Sequence, residues 1–153
     1  MLFRSTRPID AGALIVAARY KPSPAGRTRH SVQIGHDLHV IFGRPVESFN
    51  HSCEPNCGIL LPRDGSPAEV RAMRPVAEGE ELTFDYASFE DDIQHMPGPC
   101  LCGSRRCRGK ISGYHALPAD RREAYGVYIA EYLREAESAL AAPSAVEFDA
   151  STV

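Results

Sequence analysis

Residues 49–57 constrain the fold of this chain more than any other stretch. They read Phe-Asn-His-Ser-Cys-Glu-Pro-Asn-Cys, and most of these side chains form hydrogen bonds or bind metals. Pro55 fixes its own φ and favours an extended Glu54, so we expect the chain to leave a strand at Phe49 and turn sharply. This density of polar groups is typical of a functional loop and not of a core strand.

Two further stretches are unusually rich in chemistry. Residues 79–86 read Gly-Glu-Glu-Leu-Thr-Phe-Asp-Tyr, and residues 100–109 read Cys-Leu-Cys-Gly-Ser-Arg-Arg-Cys-Arg-Gly. The second of these holds three cysteines in a C-x-C-x4-C pattern, with glycines that let the backbone curl tightly. In a reducing compartment, clustered cysteines bind metals or take part in catalysis more often than they form disulfides.

The cysteine pattern predicts a structural zinc site. Three neighbouring thiolates repel one another unless a cation binds them, and structural zinc prefers four tetrahedral ligands. A fourth ligand must therefore come from elsewhere in the chain, and both Cys53 and Cys57 are candidates.

Composition excludes several classes of protein. The chain has 153 residues, a single-domain length, with 43% hydrophobic and 24% charged residues. Its net charge of −3 argues against direct nucleic-acid binding as a main role. No apolar run is long enough to span a bilayer, and no apolar leader opens the sequence, so we expect no membrane association and a cytoplasmic location.

Hydrophobic patterning predicts a mostly β (α+β) fold with one C-terminal helix. Residues 118–142 carry apolar side chains on one helical face, which we expect to pack on the domain, and residues 143–153 form a loose tail. Strands are expected at residues 2–7, 13–19, 31–35, 38–42, 58–61, 69–74 and 82–86.

In this order and at this separation, the three stretches resemble those of SET-domain protein lysine methyltransferases, over roughly residues 2–115. Residues 49–57 and 79–86 look like the two active-site motifs of that family, and residues 100–109 look like its post-SET segment. The resemblance implies several small sheets with a knot-like threaded crossing. It also implies a SET catalytic domain over residues 1–93, a post-SET zinc-binding segment over 94–115, and a helix over 116–142 packed on the domain.

The resemblance further implies that S-adenosylmethionine donates a methyl group to the ε-amine of a lysine in a protein or peptide. Tyr86 matches the catalytic tyrosine of the family, and Phe84 stands where the family varies between Phe and Tyr. A Phe leaves room for more than one methylation. Asn50 and His51 match residues that hold the methyl donor, and Leu101 is expected to cover its adenine.

The same resemblance favours Cys53 over Cys57 as the fourth zinc ligand, because its Asn-His-Ser-Cys context matches the family member that completes this site. The implied ligands are Cys53, Cys100, Cys102 and Cys107. A zinc ion held by these residues would tie the post-SET segment to the active-site loop.

Several features depart from the family pattern and keep other interpretations open. The sequence lacks the Gly-x-Gly that normally precedes the position of Leu2, Ala17 and Ala18 replace an acidic and an aromatic residue, and Glu47 replaces an arginine. One alternative is a catalytically weak SET-like protein-binding module stabilised by zinc. Another is methylation of a small-molecule amine. Read alone, Tyr86 would be an ordinary core tyrosine.

Overall fold

The computed structural model describes residues 2–142, which contain eight short strands and two α-helices. Met1 and the predicted loose tail at 143–153 lie outside the described residues. The strands are β1 (Leu14–Ala18), β2 (Tyr20–Pro22), β3 (Ser31–Gly35), β4 (Leu38–Phe42), β5 (Asn50–His51), β6 (Cys57–Leu60), β7 (Ala68–Ala72) and β8 (Thr83–Phe84). The helices are α1 (Ala119–Tyr125) and α2 (Glu131–Ala141). The mostly β prediction is therefore confirmed, and among residues 2–142 neither helix has the length and apolar character that crossing a membrane requires.

One antiparallel sheet has the order β1-β7-β6, with β7 in the middle. Ala68, Val70 and Ala72 of β7 are fully buried, whereas the intervening Glu69 and Arg71 are half-buried and pair with each other. This alternation is what the sequence predicted for a half-buried strand in this region. Strand β7 thus anchors the main core, which continues into Ile59 of β6.

A second antiparallel sheet has the order β2-β4-β3. Strands β3 and β4, both predicted with these bounds, form a hairpin in which Val32 lies opposite Val40 and the register shifts between Gln33 and Gly35. Strand β2 was not among the predicted strands, and it forms because Tyr20 pairs with Phe42 across the sheet.

The third sheet contains only β5 and β8, which run parallel. Asn50 lies opposite Thr83, and His51 lies opposite Phe84. Ser52 N–H also donates to the Phe84 carbonyl at 2.7 Å. This pairing places the two predicted active-site motifs side by side, although they are about thirty residues apart in sequence. The threaded crossing stays a prediction.

The predicted strand at residues 2–7 is wrong. This segment lies beside residues 79–82 and makes only an isolated bridge between Arg4 and Glu81. The predicted strand at 82–86 is shorter than expected. It ends at Phe84 because the Asp85 carboxylate accepts a hydrogen bond from Ala87 N–H and caps a 3-10 turn, Tyr86–Ser88.

The single C-terminal helix predicted over 118–142 is in fact two helices. Gly126, with φ 49° and ψ −114°, ends α1, and a 3-10 turn, Gly126–Tyr128, separates it from α2. The expected packing is otherwise found, since Tyr125, Ile129, Tyr132 and Leu133 are buried in the core. Leu140 was predicted on the same face but is 84% exposed.

Candidate active site and metal centre

A large open groove of about 930 Å³ collects residues from all three sequence motifs. Strand β5, the 3-10 turn after β8 and the cysteine segment form much of its wall. The predicted donor and catalytic residues in this wall are Asn50, His51, Tyr86 and Leu101. Leu101 is 88% exposed, so its side chain is free to cover a bound molecule. The structure therefore brings these four predicted residues to one groove.

A narrow cavity of about 40 Å³ shares Tyr86 with the groove. Its aromatic lining is completed by Phe49, Phe84 and Phe89. The rings of Phe49 and Phe84 stack with centroids 4.6 Å apart, which holds the wall of the cavity rigidly. Tyr86 thus faces both the wide groove and the narrow cavity, whose wall combines aromatic rings with charged residues such as Glu47 and Glu90.

The hydroxyl of Tyr86 is held and stays protonated. It donates a hydrogen bond to the Phe49 carbonyl at 2.9 Å. Burial raises the pKa of Tyr86 to about 12, and the negative charge of Glu81 adds to the effect. A phenol in this state acts at neutral pH as a hydrogen-bonding and orienting group, not as a base.

His51 links Tyr86 to the cysteine cluster. Its Nδ1 accepts the backbone N–H of Tyr86 at 3.3 Å, and burial lowers the pKa of His51 to about 4, although Asp85 acts in the opposite direction. A neutral ring that accepts at Nδ1 carries its proton on Nε2. That nitrogen lies 3.3 Å from Cys53 Sγ and donates to the sulfur.

The side chain of Asn50 extends into the exposed part of the groove. Its amide donates to Glu81 Oε1 at 2.7 Å. Glu47, Glu54 and Glu80 also line the groove. With Glu81, these four glutamates outnumber Arg29 and Arg74 in its lining, so the wall carries a net negative charge. This acidity attracts positively charged ligands.

The metal-ligating atoms of Cys53, Cys100, Cys102 and Cys107 all lie within 4.8 Å of one another. The Sγ atoms of Cys53 and Cys100 are 3.9 Å apart. Four sulfurs bound tetrahedrally to zinc, at a Zn–S distance of about 2.3 Å, lie about 3.8 Å apart. The donor set and its spacing therefore fit a structural metal ion, and zinc in particular.

Cys57 is not part of this cluster. It is buried next to Asn56 and donates its S–H to Asn56 Oδ1 at 3.2 Å. Burial raises the pKa of Cys57 to about 12, so it remains a neutral thiol. Of the two candidates for the fourth ligand, the structure thus brings Cys53 to the other three cysteines.

Sequence reasoning missed the role of Asp85, which lies between Phe84 and Tyr86 in the second motif. Asp85 caps a turn, is 1% exposed and forms a two-pronged ion pair with Arg108 at 2.7 and 2.8 Å. Only the Phe-Asp-Tyr and Cys-Arg-Gly contexts could have drawn attention to this pair.

A second buried polar cluster was also missed. Arg27 donates to Gln33 Oε1 at 2.8 Å and pairs with Asp91, while Gln33 N–H donates to Glu90 at 3.0 Å. Gln33 is fully buried and Glu90 is 2% exposed. Burial raises the pKa of Glu90 to about 7, partly opposed by the Gln33 N–H. Residues so distant in sequence carry no local signal of such a cluster.

The structure is a mostly β domain with small sheets, a groove that meets an aromatic cavity, and a cluster of four thiols. Comparison with known protein families identifies the family to which it belongs. Residues 3–87 match the SET domain, which is more than half of the 153 residues. The chain therefore belongs to the SET-domain family.

Two curated relatives illustrate the similarity in sequence. Methyltransferase flvH of Aspergillus flavus is 37% identical over 118 residues, which cover 76% of this chain and 64% of that protein. The probable histone-lysine N-methyltransferase set-23 of Caenorhabditis elegans is 38% identical over 84 residues, covering 43% of this chain and 33% of that protein. The chain thus spans less than two thirds of either relative.

Solved structures with low sequence identity share the fold. The methyltransferase domain of human histone-lysine N-methyltransferase SETMAR matches with a TM-score of 0.55 and 16% identity, covering 72% of this chain and 53% of that one. KRYPTONITE, crystallised with mCHG DNA and SAH, matches with a TM-score of 0.57 and 22% identity, covering 71% of this chain and 26% of that one. These matches support the predicted SET-type arrangement of small sheets.

Proposed function

We propose that this chain transfers a methyl group from S-adenosylmethionine to the ε-amine of a lysine in a protein or peptide. One observation carries the proposal: Tyr86 lines both the large groove and the narrow aromatic cavity. A donor in the groove and an amine in the cavity would meet at this residue. Such positioning supplies much of the acceleration in a methyl transfer.

The groove suits the donor. Its volume of about 930 Å³ is ample for a nucleoside with an amino-acid tail, and its acidic wall favours the positive charges of S-adenosylmethionine. Asn50 and His51 lie on one side and Leu101 on the other. Support also comes from KRYPTONITE, which was crystallised with SAH.

The narrow cavity suits an uncharged lysine side chain. Phe49, Phe84 and Phe89 supply the aromatic part of the cavity wall, and burial against such rings lowers the pKa of an ammonium. Because the Tyr86 hydroxyl donates to Phe49, its oxygen still has a lone pair to orient the amine. When bound, S-adenosylmethionine would supply a methyl group on a positively charged sulfur. A neutral amine bonds to that methyl carbon as the carbon–sulfur bond breaks and the thioether leaves, and the methylated ammonium passes its extra proton to water, so no strong base is needed.

The acceptor class is inferred from the relatives and from charge. Set-23 is described as a probable histone-lysine N-methyltransferase, and a protein of net charge −3 suits a basic peptide better than a nucleic acid. Phe84 is 3% exposed and brings no hydroxyl to the cavity wall, which leaves room for more than one methyl group.

We further propose that Cys53, Cys100, Cys102 and Cys107 hold a structural zinc ion. All four ligand positions are thiols, so no coordination position is left open for catalysis. The ion would fasten residues 94–115, the proposed post-SET segment, to β5 and the turn that follows it. This fastening keeps Leu101 at the groove.

Mass spectrometry of zinc-loaded protein with S-adenosylmethionine tests the proposed reaction on an array of lysine peptides and a panel of small amines. We expect at least one peptide to gain one or more methyl groups, and Tyr86→Phe to lower the rate about 100-fold. Tyr20→Phe is the control, because the Tyr20 hydroxyl bonds Pro62 outside the groove.

Two results would contradict the proposal. Methylation of small amines alone would replace the protein acceptor with a small molecule. Peptide binding without methylation of any acceptor would identify a binding module, which is the alternative that the departures at Ala17, Ala18 and Glu47 left open.

A further inference from the structure

The ion pair between Asp85 and Arg108 is the most buried pair of fixed charges next to the active site. Two nitrogens of the guanidinium contact the two carboxylate oxygens at 2.7 and 2.8 Å. The side chains are 0% exposed for Asp85 and 13% exposed for Arg108. A charge so far from water requires a partner of opposite sign.

Asp85 joins three parts of the fold through its other contacts. It accepts hydrogen bonds from Ala87 N–H at 3.1 Å and from the Tyr125 hydroxyl of α1 at 2.9 Å. His51 Nδ1 lies 3.6 Å from Asp85 Oδ1, beyond hydrogen-bond distance, and accepts the backbone N–H of Tyr86 instead. Arg108 is thus the cation that neutralises this carboxylate among the described residues. The turn that Asp85 caps begins with Tyr86.

Arg108 depends on the cysteine cluster for its own position. It directly follows Cys107, and its backbone N–H donates to Cys53 Sγ at 3.4 Å. If the cysteine segment moved away, Arg108 would leave with it, and a buried carboxylate would stay behind without a cation. Asp85 would then have to reach water, which requires the turn that begins at Tyr86 to move.

We propose that Arg108 and Asp85 are positioning residues that make the placement of Tyr86 depend on the metal-loaded cysteine segment. The catalytic meaning of this coupling rests on the proposed methyl transfer, but the coupling itself does not. Because coupling between two sites is reciprocal, a correctly placed Tyr86 turn also favours metal retention.

Fluorine NMR on protein labelled with 3-fluorotyrosine tests the coupling without donor or acceptor. The chain has six tyrosines, and the Tyr86 and Tyr20 signals are assigned by their loss in Tyr86→Phe and Tyr20→Phe. Stripping zinc with a chelator is expected to shift the Tyr86 signal and leave the Tyr20 signal in place. Arg108→Gln is expected to shift the Tyr86 signal while zinc, measured by a chromophoric chelator, remains bound.

Arg106→Gln is the matched control. Arg106 lies in the same cysteine segment and pairs with Asp120 of α1, but both side chains are more than half exposed. Its replacement is expected to leave the Tyr86 signal unchanged. If Arg108→Gln also leaves that signal unchanged with zinc bound, the proposal is wrong.

A second comparison covers the case in which Arg108→Gln does not fold. In an Asp85→Asn background the carboxylate charge is absent. Adding Arg108→Gln to that background is therefore expected to cause no further change in the chemical shift of the Tyr86 signal. A further shift in the double variant would show that Arg108 acts by another route and would overturn the proposal. Because no turnover is measured, a failed methylation assay leaves this result intact.

Discussion

At the scale of single residues, Glu90 is a buried titratable group outside the groove with a strongly raised pKa. Its carboxyl group is buried between β3 and the segment after β8, where Gln33 N–H and Arg27 contact it. Burial raises the pKa of Glu90 from 4.5 to about 7, against the opposing effects of these two partners. The folded protein therefore binds more protons than the unfolded chain between these two pH values.

This pKa predicts how stability depends on pH. Between pH 4.5 and 7 the free energy of unfolding decreases as pH rises, because the unfolded chain releases the Glu90 proton while the folded protein retains it. Glu90→Gln is expected to remove this contribution, up to about 3 kcal/mol, so the variant gains stability relative to the native chain at pH 8. Urea unfolding at pH 5 and pH 8 measures the change.

The exposed Glu135 offers a control for this measurement. Its carboxylate pairs with Arg63 on the surface, and Glu135→Gln is expected to change the pH dependence little. Equal pH slopes for the native chain and Glu90→Gln would show that the pKa of Glu90 is the same in the folded and unfolded states, which would contradict the prediction.

Whether the role of a residue can be predicted from the sequence depends on whether that residue lies in a recognisable local motif. Asn50, His51 and Tyr86 stand in dense motifs, and the structure places all of them at one groove. Glu90 and Arg27 stand in ordinary sequence and acquire their properties only from burial against each other. No local pattern reports a contact between residues more than sixty positions apart.

At the scale of elements, the break between α1 and α2 allows the C-terminal region to pack against the sheet. The 3-10 turn Gly126–Tyr128 packs its Tyr128 ring directly against Gly58 of β6. A Cβ atom at Gly58 would lie 2.3 Å from Cγ of Tyr128, which is far inside contact distance. Glycine is therefore required at position 58 for steric reasons, and not because of its backbone φ and ψ angles.

Replacing Gly58 tests this packing. Gly58→Ala is expected to lower the free energy of unfolding by about 1–3 kcal/mol, because either the turn or the strand must shift. In a Tyr128→Ala background, Gly58→Ala is expected to lower the free energy of unfolding by a smaller amount. A double-mutant cycle measured by chemical denaturation tests this expectation.

Gly43→Ala serves as the control for this substitution, since nothing lies within 4 Å of a Cβ atom built at Gly43. If Gly58→Ala proves no more destabilising than Gly43→Ala, the close contact with Tyr128 does not exist in solution.

Element predictions succeeded where periodicity is regular. The hairpin of β3 and β4 has the predicted bounds, and β7 shows the predicted alternation. The long helix failed because apolar spacing continues through Gly126, and periodicity alone does not weigh the cost of a glycine at that point. The short strands β5 and β8 form because they pair with each other. A local sequence pattern does not reveal such a long-range pairing.

At the scale of the whole molecule, the cysteine cluster joins distant parts of the chain. Cys53 follows β5, whereas the other three ligands lie in residues 100–107. We expect purified protein to contain one zinc ion, and Cys102→Ser to lose most of it, because three thiolates bind zinc less tightly than four. Elemental analysis after dialysis measures the content.

Cys57→Ala is the matched control for metal content. Cys57 is buried and lies outside the cluster, so its replacement is expected to leave the bound zinc unchanged. Loss of zinc from Cys57→Ala but not from Cys102→Ser would show that the ligands are assigned wrongly.

The convergence of three motifs could be predicted only through the family resemblance. Composition and periodicity indicate a mostly β domain and a metal site, but they do not say that residues near 50, 85 and 101 meet at one groove. The parallel pairing of β5 with β8 and the cysteine cluster create that groove, and both are long-range features.

Calorimetric titration of zinc-loaded protein with S-adenosylmethionine tests the central claim most directly. We predict micromolar binding to the native chain and to Gln94→Ala, whose exposed side chain lies outside the groove, and loss of binding in Asn50→Ala. Such a result would show a donor site built around Asn50. No detectable binding to the native chain, or equal binding to Asn50→Ala, would contradict the account.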